Sequence, residues 1–422
     1  MWKSEVRNCQ ACQHETFFHL PARSLVQYKV HFPTTANKDG NEELNETDSI
    51  TDIEPTSNSL RSVHTSNLPE ILSQLGISLM VTTYQAGKLV MLRAENGVLN
   101  THFRLFDKPM GMAVQPNRIA IGSEMQVWEF HNIPAVCEKL DTAREATDDL
   151  PARQASPHPH DACFLPRVSH FTGDIDIHEM AWIDDDVVFV NTRFSCLARR
   201  SGTFNFEPVW RPSFITKYIP GDCCHLNGMA TRDGKVDCVT ALGETDEPGG
   251  WRANKKDGGL LIDVASNEIV ARGLSMPHSP RWYNGNLYLL HSGTGGFGVI
   301  DPVTGAYESI IELPGFTRGL SFCGPLAFIG LSQVRETSVF GGVPIAEREL
   351  AERTCGVWVV NIESGQIVAF VKFEDAVQEI FAVEVLHGST YPELVNEDCE
   401  LLAGSYELPD AALADVPAEL RR

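Results

Sequence analysis

Histidine recurs at one position of a repeated unit: His178 in DIHEMAWI, His225 in CHLNGMAT and His278 in MPHSPRWY. Each opens a short apolar run that is followed by a turn, a second apolar run and polar residues. Imidazole changes charge near neutral pH and is the commonest metal ligand. Three neutral imidazoles suit zinc, copper or iron, and three protein ligands leave a coordination position open for water or substrate. Three further units open at the same register with Met110 (MGMAV), Arg318 (RGLSF) and Glu379 (EIFAV). The set reads as a centre in which His178, His225 and His278 hold a divalent transition metal. Glu379 then serves as fourth ligand or general base, and Arg318 clamps a carboxylate or stabilises an oxyanion. Asp176 and Glu179 flank His178 and are placed to orient imidazoles. The plainer reading is that the three histidines fill a narrow channel, hydrogen-bonded to backbone and water.

Such convergence needs an element that brings distant segments to one axis. The stretch SPRWYNGNLYLLHSGTGGFGVIDPVTGAYESIIELPG reads as strand, Asn-Gly turn, strand, Gly-rich loop, strand, Thr-Gly turn, strand, which is the four-strand blade of a propeller. The same unit recurs at intervals of about 40 to 70 residues. The longest intervals contain insertions, HNIPAVCEKL through PHPHDA and ETSVFGGVPIAERELAERT. The spacing predicts an all-β fold, a six-bladed β-propeller. Its last unit, opening at Glu379, is completed by SLMVTTYQAG, KLVMLRAENG and LNTHFRLFD from the other end of the chain. Closure by both ends leaves no open sheet edge at the join. In a propeller the loop between the second and third strands returns to the face where the first strand begins. Those loops bring Gln85, Asn191, Arg193, Trp251, Arg252 and Arg335 toward the histidines, while Asn227 and Arg281 follow them on the first strands. These eight are the candidate substrate contacts.

The strings TYQAGKL, KPMGMAV, TGDIDIHEM, FVNTRFSCLA, WRPSFI, CHLNGMA, RGLSMPHSPRW and SGTG occur in this order. On them the chain, from about Leu68 to His387, resembles the DUF4915 group of uncharacterised bacterial proteins. The resemblance implies the same propeller fold and no particular reaction.

The rest of the chain bounds the setting. Residues 1–66 are acidic, polar and poor in aromatics, and are expected to form a largely disordered leader. A short helix, NLPEILSQLGIS, follows, with Asn67 as candidate cap. The propeller is expected over residues 67–405 and a tail over 406–422. A formal net charge of −22 argues against nucleic-acid and anionic-membrane partners. No apolar run approaches the ~18 residues of a membrane helix. Eleven scattered cysteines fit a reducing compartment, so the cytoplasm is expected. Cys9 and Cys12 form a lone CxxC, and Cys223 and Cys224 beside His225 read as buried. PHPHD at 157–161 reads as a loop, although its histidines are metal-ligand types. Two functions fit. One is a metal-dependent enzyme of lyase, hydrolase or oxygenase type acting on a small polar or anionic substrate. The other is a non-catalytic propeller that recognises a sugar, peptide or protein partner.

Overall fold

The computed structural model describes residues 60–143, 152, 154–334, 341–374 and 376–417. Most of the predicted leader, the Cys9–Cys12 pair and Arg335 lie outside the described residues.

Six small sheets form a ring, a six-bladed β-propeller. Blade 1 runs from the channel outward as Val383–His387, Ile77–Thr82, Lys88–Glu95 and Val98–Leu105, so both ends of the chain build it. Blade 2 is Met112–Gln115, Arg118–Gly122, Gln126–Asn132 and Ala162–Phe171. Blade 3 is Ile177–Ile183, Asp186–Asn191, Cys196–Arg199 and Glu207–Trp210. Blade 4 is Leu226–Arg232, Lys235–Ala241, Gly259–Asp263 and Ile269–Leu274. Blade 5 is Pro277–Tyr283, Asn286–His291, Gly296–Ile300 and Tyr307–Glu312. Blade 6 is Phe316–Cys323, Leu326–Ser332, Cys355–Asn361 and Gln366–Phe373.

The hairpins are set by local chemistry. Asn284 and Gly285 both have positive φ (47° and 80°), as do Asp233 and Gly234 (53° and 74°). Two successive left-handed residues make the tight turn whose twist matches that of the strands it joins. Apolar side chains from facing blades then fill the spaces between them. Val190 and Leu197 of blade 3, for example, pack with Leu226, Met229, Val239 and Ile262 of blade 4. Each such side chain, fully buried, contributes about 1.5–3 kcal/mol.

Two short strands were not apparent in the sequence. Ser62–His64 pairs antiparallel with Gln366–Phe373 and makes a fifth strand on blade 6, so the end of the expected leader belongs to the propeller. Pro392–Leu394 pairs parallel with Ala162–Phe171 on blade 2. The chain therefore leaves blade 1 and straps itself to blade 2 across the seam. Buried Glu393 fastens the strap. It accepts from Arg104 (3.1 Å), lies 3.5 Å from Arg93 and 3.2 Å from His102, and Arg93 also donates to the Pro392 carbonyl (2.8 Å). The PHPHD segment joins this seam as a loop: His160 Nδ1 lies 2.6 Å from Asp141, His158 pairs with Glu95, and Asp161 accepts from Thr390 and Tyr391 backbone N–H groups. The expected helix spans Leu68–Leu75, with Leu68 and Leu72 buried against the blades. Asn67 does not cap it through its side chain, which donates instead to the Val368 carbonyl of blade 6 (3.0 Å).

The channel is narrow where the inner strands begin. A Cβ on Gly319 (φ 81°) would lie 2.5 Å from the Val383 nitrogen of the next blade, so only glycine fits there. Among the described residues no helix is long and apolar enough to cross a membrane.

Candidate functional site

The inner strands of blades 3 to 6 are irregular at the level of the candidate residues. Their ladders slip between Ile177 and Met180, Leu226 and Gly228, His278 and Arg281, and Thr317 and Leu320. Bulges of this kind bend a strand and re-aim its side chains. His178 and Arg318 sit within them, and His278 borders one.

His178 and His225 meet edge to face, with ring centroids 4.7 Å apart. His278 lies near enough to act electrostatically on His178, and His225 on His278. His178 and His278 are almost fully buried, and His225 is half-buried. Burial, and after it neighbouring positive groups that include Arg318, hold the pKa values of His178 and His278 well below the usual histidine range. Both are neutral at pH 7.

Their tautomers follow from their partners. His278 Nδ1 is 2.9 Å from the Met276 carbonyl, which can only accept, so Nδ1 carries the proton. His178 Nδ1 lies 3.1 Å from the Asp176 carbonyl and 2.8 Å from Thr192 Oγ1, whose own proton goes to the Leu226 carbonyl (2.6 Å). His178 Nδ1 therefore donates as well. His225 Nδ1 faces both carboxylate oxygens of Asp222 at 2.9 and 3.1 Å. All three rings are tied back through Nδ1–H, which leaves each Nε2 without a protein partner among these contacts. The expected orienting roles of Asp176 and Glu179 fall differently. Asp176 uses its backbone carbonyl, while its carboxylate takes Lys108 (2.9 Å) and Arg193 (3.1 Å). Asp222, which the sequence did not single out, fixes the His225 ring through Nδ1 and also accepts from Trp251 Nε1 (2.9 Å).

Arg318 stacks its guanidinium on the Phe381 ring, 3.7 Å from the centroid. The same ring packs edge-on against His178 (4.9 Å) and tilts toward Tyr84 (5.7 Å). Burial pulls the Arg318 pKa down to about 10, which leaves it charged at neutral pH, and Glu379 only partly offsets that burial. Burial raises the Glu379 carboxyl, against the opposing pull of Arg318. Phe381 was missed because the last unit appeared to open at Glu379, whereas its inner strand begins at Val383.

The other expected contacts divide. Gln85 is exposed in the loop beside Tyr84. Arg193 lies at the rim on Asp174 (2.6 Å) and Asp176. Trp251 is buried and tilts over His225 with centroids 4.4 Å apart; Arg252 is exposed over Trp251. Trp251 belongs to an apolar cluster with Met276, Phe316, Val343 and Ile345, so the long loops of blades 4 and 6 pack together beside the histidines. Asn191 and Asn227 are buried, each with its Oδ1 engaged and its Nδ2 without a partner. Arg281 does not share this face. It donates to Glu179 at 3.1 and 3.0 Å, to Glu384 at 3.1 Å and to the Met229 carbonyl at 3.1 Å, while Ser321 donates to Glu384 (3.3 Å). Five blades thus meet in a plug across the channel. A cleft of about 220 Å³ on its far side is lined by Val114, Met180, Trp182, Met229, Arg281 and Glu384. Cys223 and Cys224 are buried, and burial raises both thiols, Cys224 to about 12.

Among the described residues no group of three or more His, Cys, Asp or Glu side chains stands, as placed, close enough to hold a metal ion. The mouth brings three imidazoles beside one charged guanidinium and one carboxyl group.

Among solved structures the chain is similar to a chain of a nidogen/laminin complex, at 9% identity with a TM-score of 0.46, over 74% of this chain and 99% of that one. It is also similar to a protein of unknown function from Bacteroides caccae, at 9% identity with a TM-score of 0.42, over 73% of this chain and 98% of that one. No curated protein matches. A family model, described as a domain of unknown function (DUF4915), matches residues 66–395, and the chain belongs to that family.

Proposed function

We propose that the histidine mouth of the channel is a binding site for a small anionic molecule, with a divalent transition metal (zinc, copper or iron) on His178, His225 and His278. The observation that carries this reading is the shared tautomer. Three imidazoles from consecutive blades donate through Nδ1 to a carbonyl, a carboxylate, or a carbonyl and a hydroxyl, and each keeps its Nε2 lone pair. Metal-ligating histidines are held in this way, because the outer hydrogen bond fixes the ring and raises its basicity. The side chains as placed are not drawn together on an ion, so uptake includes a side-chain adjustment. A Lewis-acid metal beside Arg318, with Glu379 as base, suits lyase or hydrolase chemistry, and iron or copper suits oxygen activation.

A second reading rests on the same arrangement without an ion. Arg318 and the buried rings would then recognise an anionic sugar, peptide or small-molecule group with no reaction. Metal content of the untagged, full-length protein separates the two. One equivalent of metal that disappears in His225→Ala is the expected result. Protein that stays metal-free after incubation with zinc, copper and iron would leave only the recognition reading.

A further inference from the structure

Arg318 and Glu379 are opposite charges that act on each other electrostatically, yet no ion pair or hydrogen bond joins them. Neither has a hydrogen-bonding partner among the described residues. Two other buried or half-buried arginines of the channel and seam are placed differently: Arg281 is spent on two carboxylates, and Arg93 on Asn100, Pro392 and Glu393. The Nε–H of Arg318 is shut off from solvent and still unpaired. A buried donor in that state is costly, and Arg318, unlike Arg193 and Arg353 whose Nε is also unpaired, makes no other hydrogen bond that offsets it. Phe381 covers one face of the guanidinium, and stacking of that kind leaves the planar edge with its parallel N–H bonds unused. That edge is the complement of a carboxylate. Glu379 is a carboxylate without a donor, two residues before Phe381 and near enough to Arg318 to act on it electrostatically. Its complement is a cation with N–H donors.

We propose that the ligand of the channel mouth is a small zwitterion of the α-amino-acid type, its carboxylate on Arg318 and its ammonium group on Glu379. The two protein charges are held apart because the ligand bridges them. A directly paired arginine and glutamate would satisfy each other and leave nothing for a ligand to gain. The three Nε2 acceptors lie beside this pair and face the ligand's remaining atoms, either through the metal or as hydrogen-bond acceptors. The inference rests on reading this mouth as the ligand site and does not require the metal.

The test is calorimetric titration of the full-length protein with the standard L-α-amino acids, one at a time, on metal-stripped protein and again after addition of zinc. Each amino acid that binds is repeated as its N-acetyl and its α-amide derivative. At least one amino acid should bind, and each modification should weaken it by about tenfold or more. Arg318→Gln should abolish the preference for carboxylate over amide, and Glu379→Gln the preference for free amine over N-acetyl. The derivative comparison uses unaltered protein, so it stands even if a variant folds poorly. Absence of binding by every amino acid, or equal affinity for parent and either derivative, would overturn the proposal. Amino-acid binding without metal uptake would keep it and remove the metal; metal uptake without amino-acid binding would do the reverse.

Discussion

The seam between blades 1 and 2 and the mouth of the channel hold the same kinds of side chain, histidine, arginine and glutamate, and use them in opposite ways. At the seam Glu393 lies among Arg93, Arg104 and His102, and Arg104 also reaches the Leu394 carbonyl at 2.8 Å. Arg93 and Arg104 both find acceptors inside the protein there. Burial alone would raise the Glu393 pKa, but His102 and the two arginines overcome it and bring it down to about 2. At the mouth the three imidazoles keep an open lone pair each, Arg318 keeps its whole donor edge, and Glu379 has no donor. At the seam, buried charge whose hydrogen-bonding capacity is met internally holds the fold; at the mouth that capacity is left unmet at a cost in stability, which is the ground of the proposed ligand site.

The largest effect should come from breaking the seam. Glu393→Ala removes one partner from a buried cluster and leaves two arginines uncompensated, which costs about 3–5 kcal/mol. Urea unfolding should show that loss, with metal uptake at the mouth retained; a loss below about 1 kcal/mol would mean that the strap adds little. Arg281→Met should come next, since it strands Glu179 and Glu384 in the plug. Adding Glu384→Gln to Arg281→Met should recover part of the stability, and no recovery would contradict the shared role given to that arginine.

Acid and neutral pH should act on the two clusters in different windows. Glu393 has a lowered pKa in the folded chain, so its contribution is full above the unfolded value of 4.5 and is lost as pH falls toward 2. Glu384 is the reverse case. Burial, with Glu179 adding to it, raises its pKa to about 7 against the pull of Arg281. The unfolded chain then loses this proton first as pH rises from 4.5, so stability should fall by roughly 3 kcal/mol between there and pH 7. Glu384→Gln should flatten that slope in urea-unfolding measurements across the window, and an unchanged slope would assign the effect elsewhere. The smallest effect is the most telling about the mouth. Arg318→Met, which replaces an unpaired buried charge by an apolar chain, should change stability by no more than about 1 kcal/mol or raise it. A loss of about 3 kcal/mol would show that Arg318 is structural.

Much of the fold was legible because its signals are local. Asn-Gly and Asp-Gly turns between alternating apolar runs mark the hairpins, and the recurrence of the unit gave the blade count and the closure by both ends. The common register of His178, His225 and His278 was legible for the same reason. What escaped depends on local backbone turns or on partners remote in sequence. Asp222 reaches His225 only because the strand entry turns back through left-handed residues at 222 and 225 (φ 47° and 50°), and no spacing rule announces that. Thr192 and Ser292 meet His178 and His278 from the next strand's loop, 14 residues on in each case. Arg281 looked like a ligand contact because it follows His278, but the bulge carries it to Glu179 and Glu384, more than a hundred residues away in both directions. Pro392–Leu394 is too short to show an alternating pattern at all.

The most direct test of the contrast between mouth and seam is a cobalt(II) titration of the metal-stripped protein followed by visible absorption. The account predicts one equivalent bound with the intense bands of a tetrahedral or five-coordinate site. His178→Ala, His225→Ala and His278→Ala should each abolish them, and His160→Ala at the seam should leave them unchanged. No cobalt uptake, or uptake that survives the loss of any one of the three mouth histidines, would contradict it.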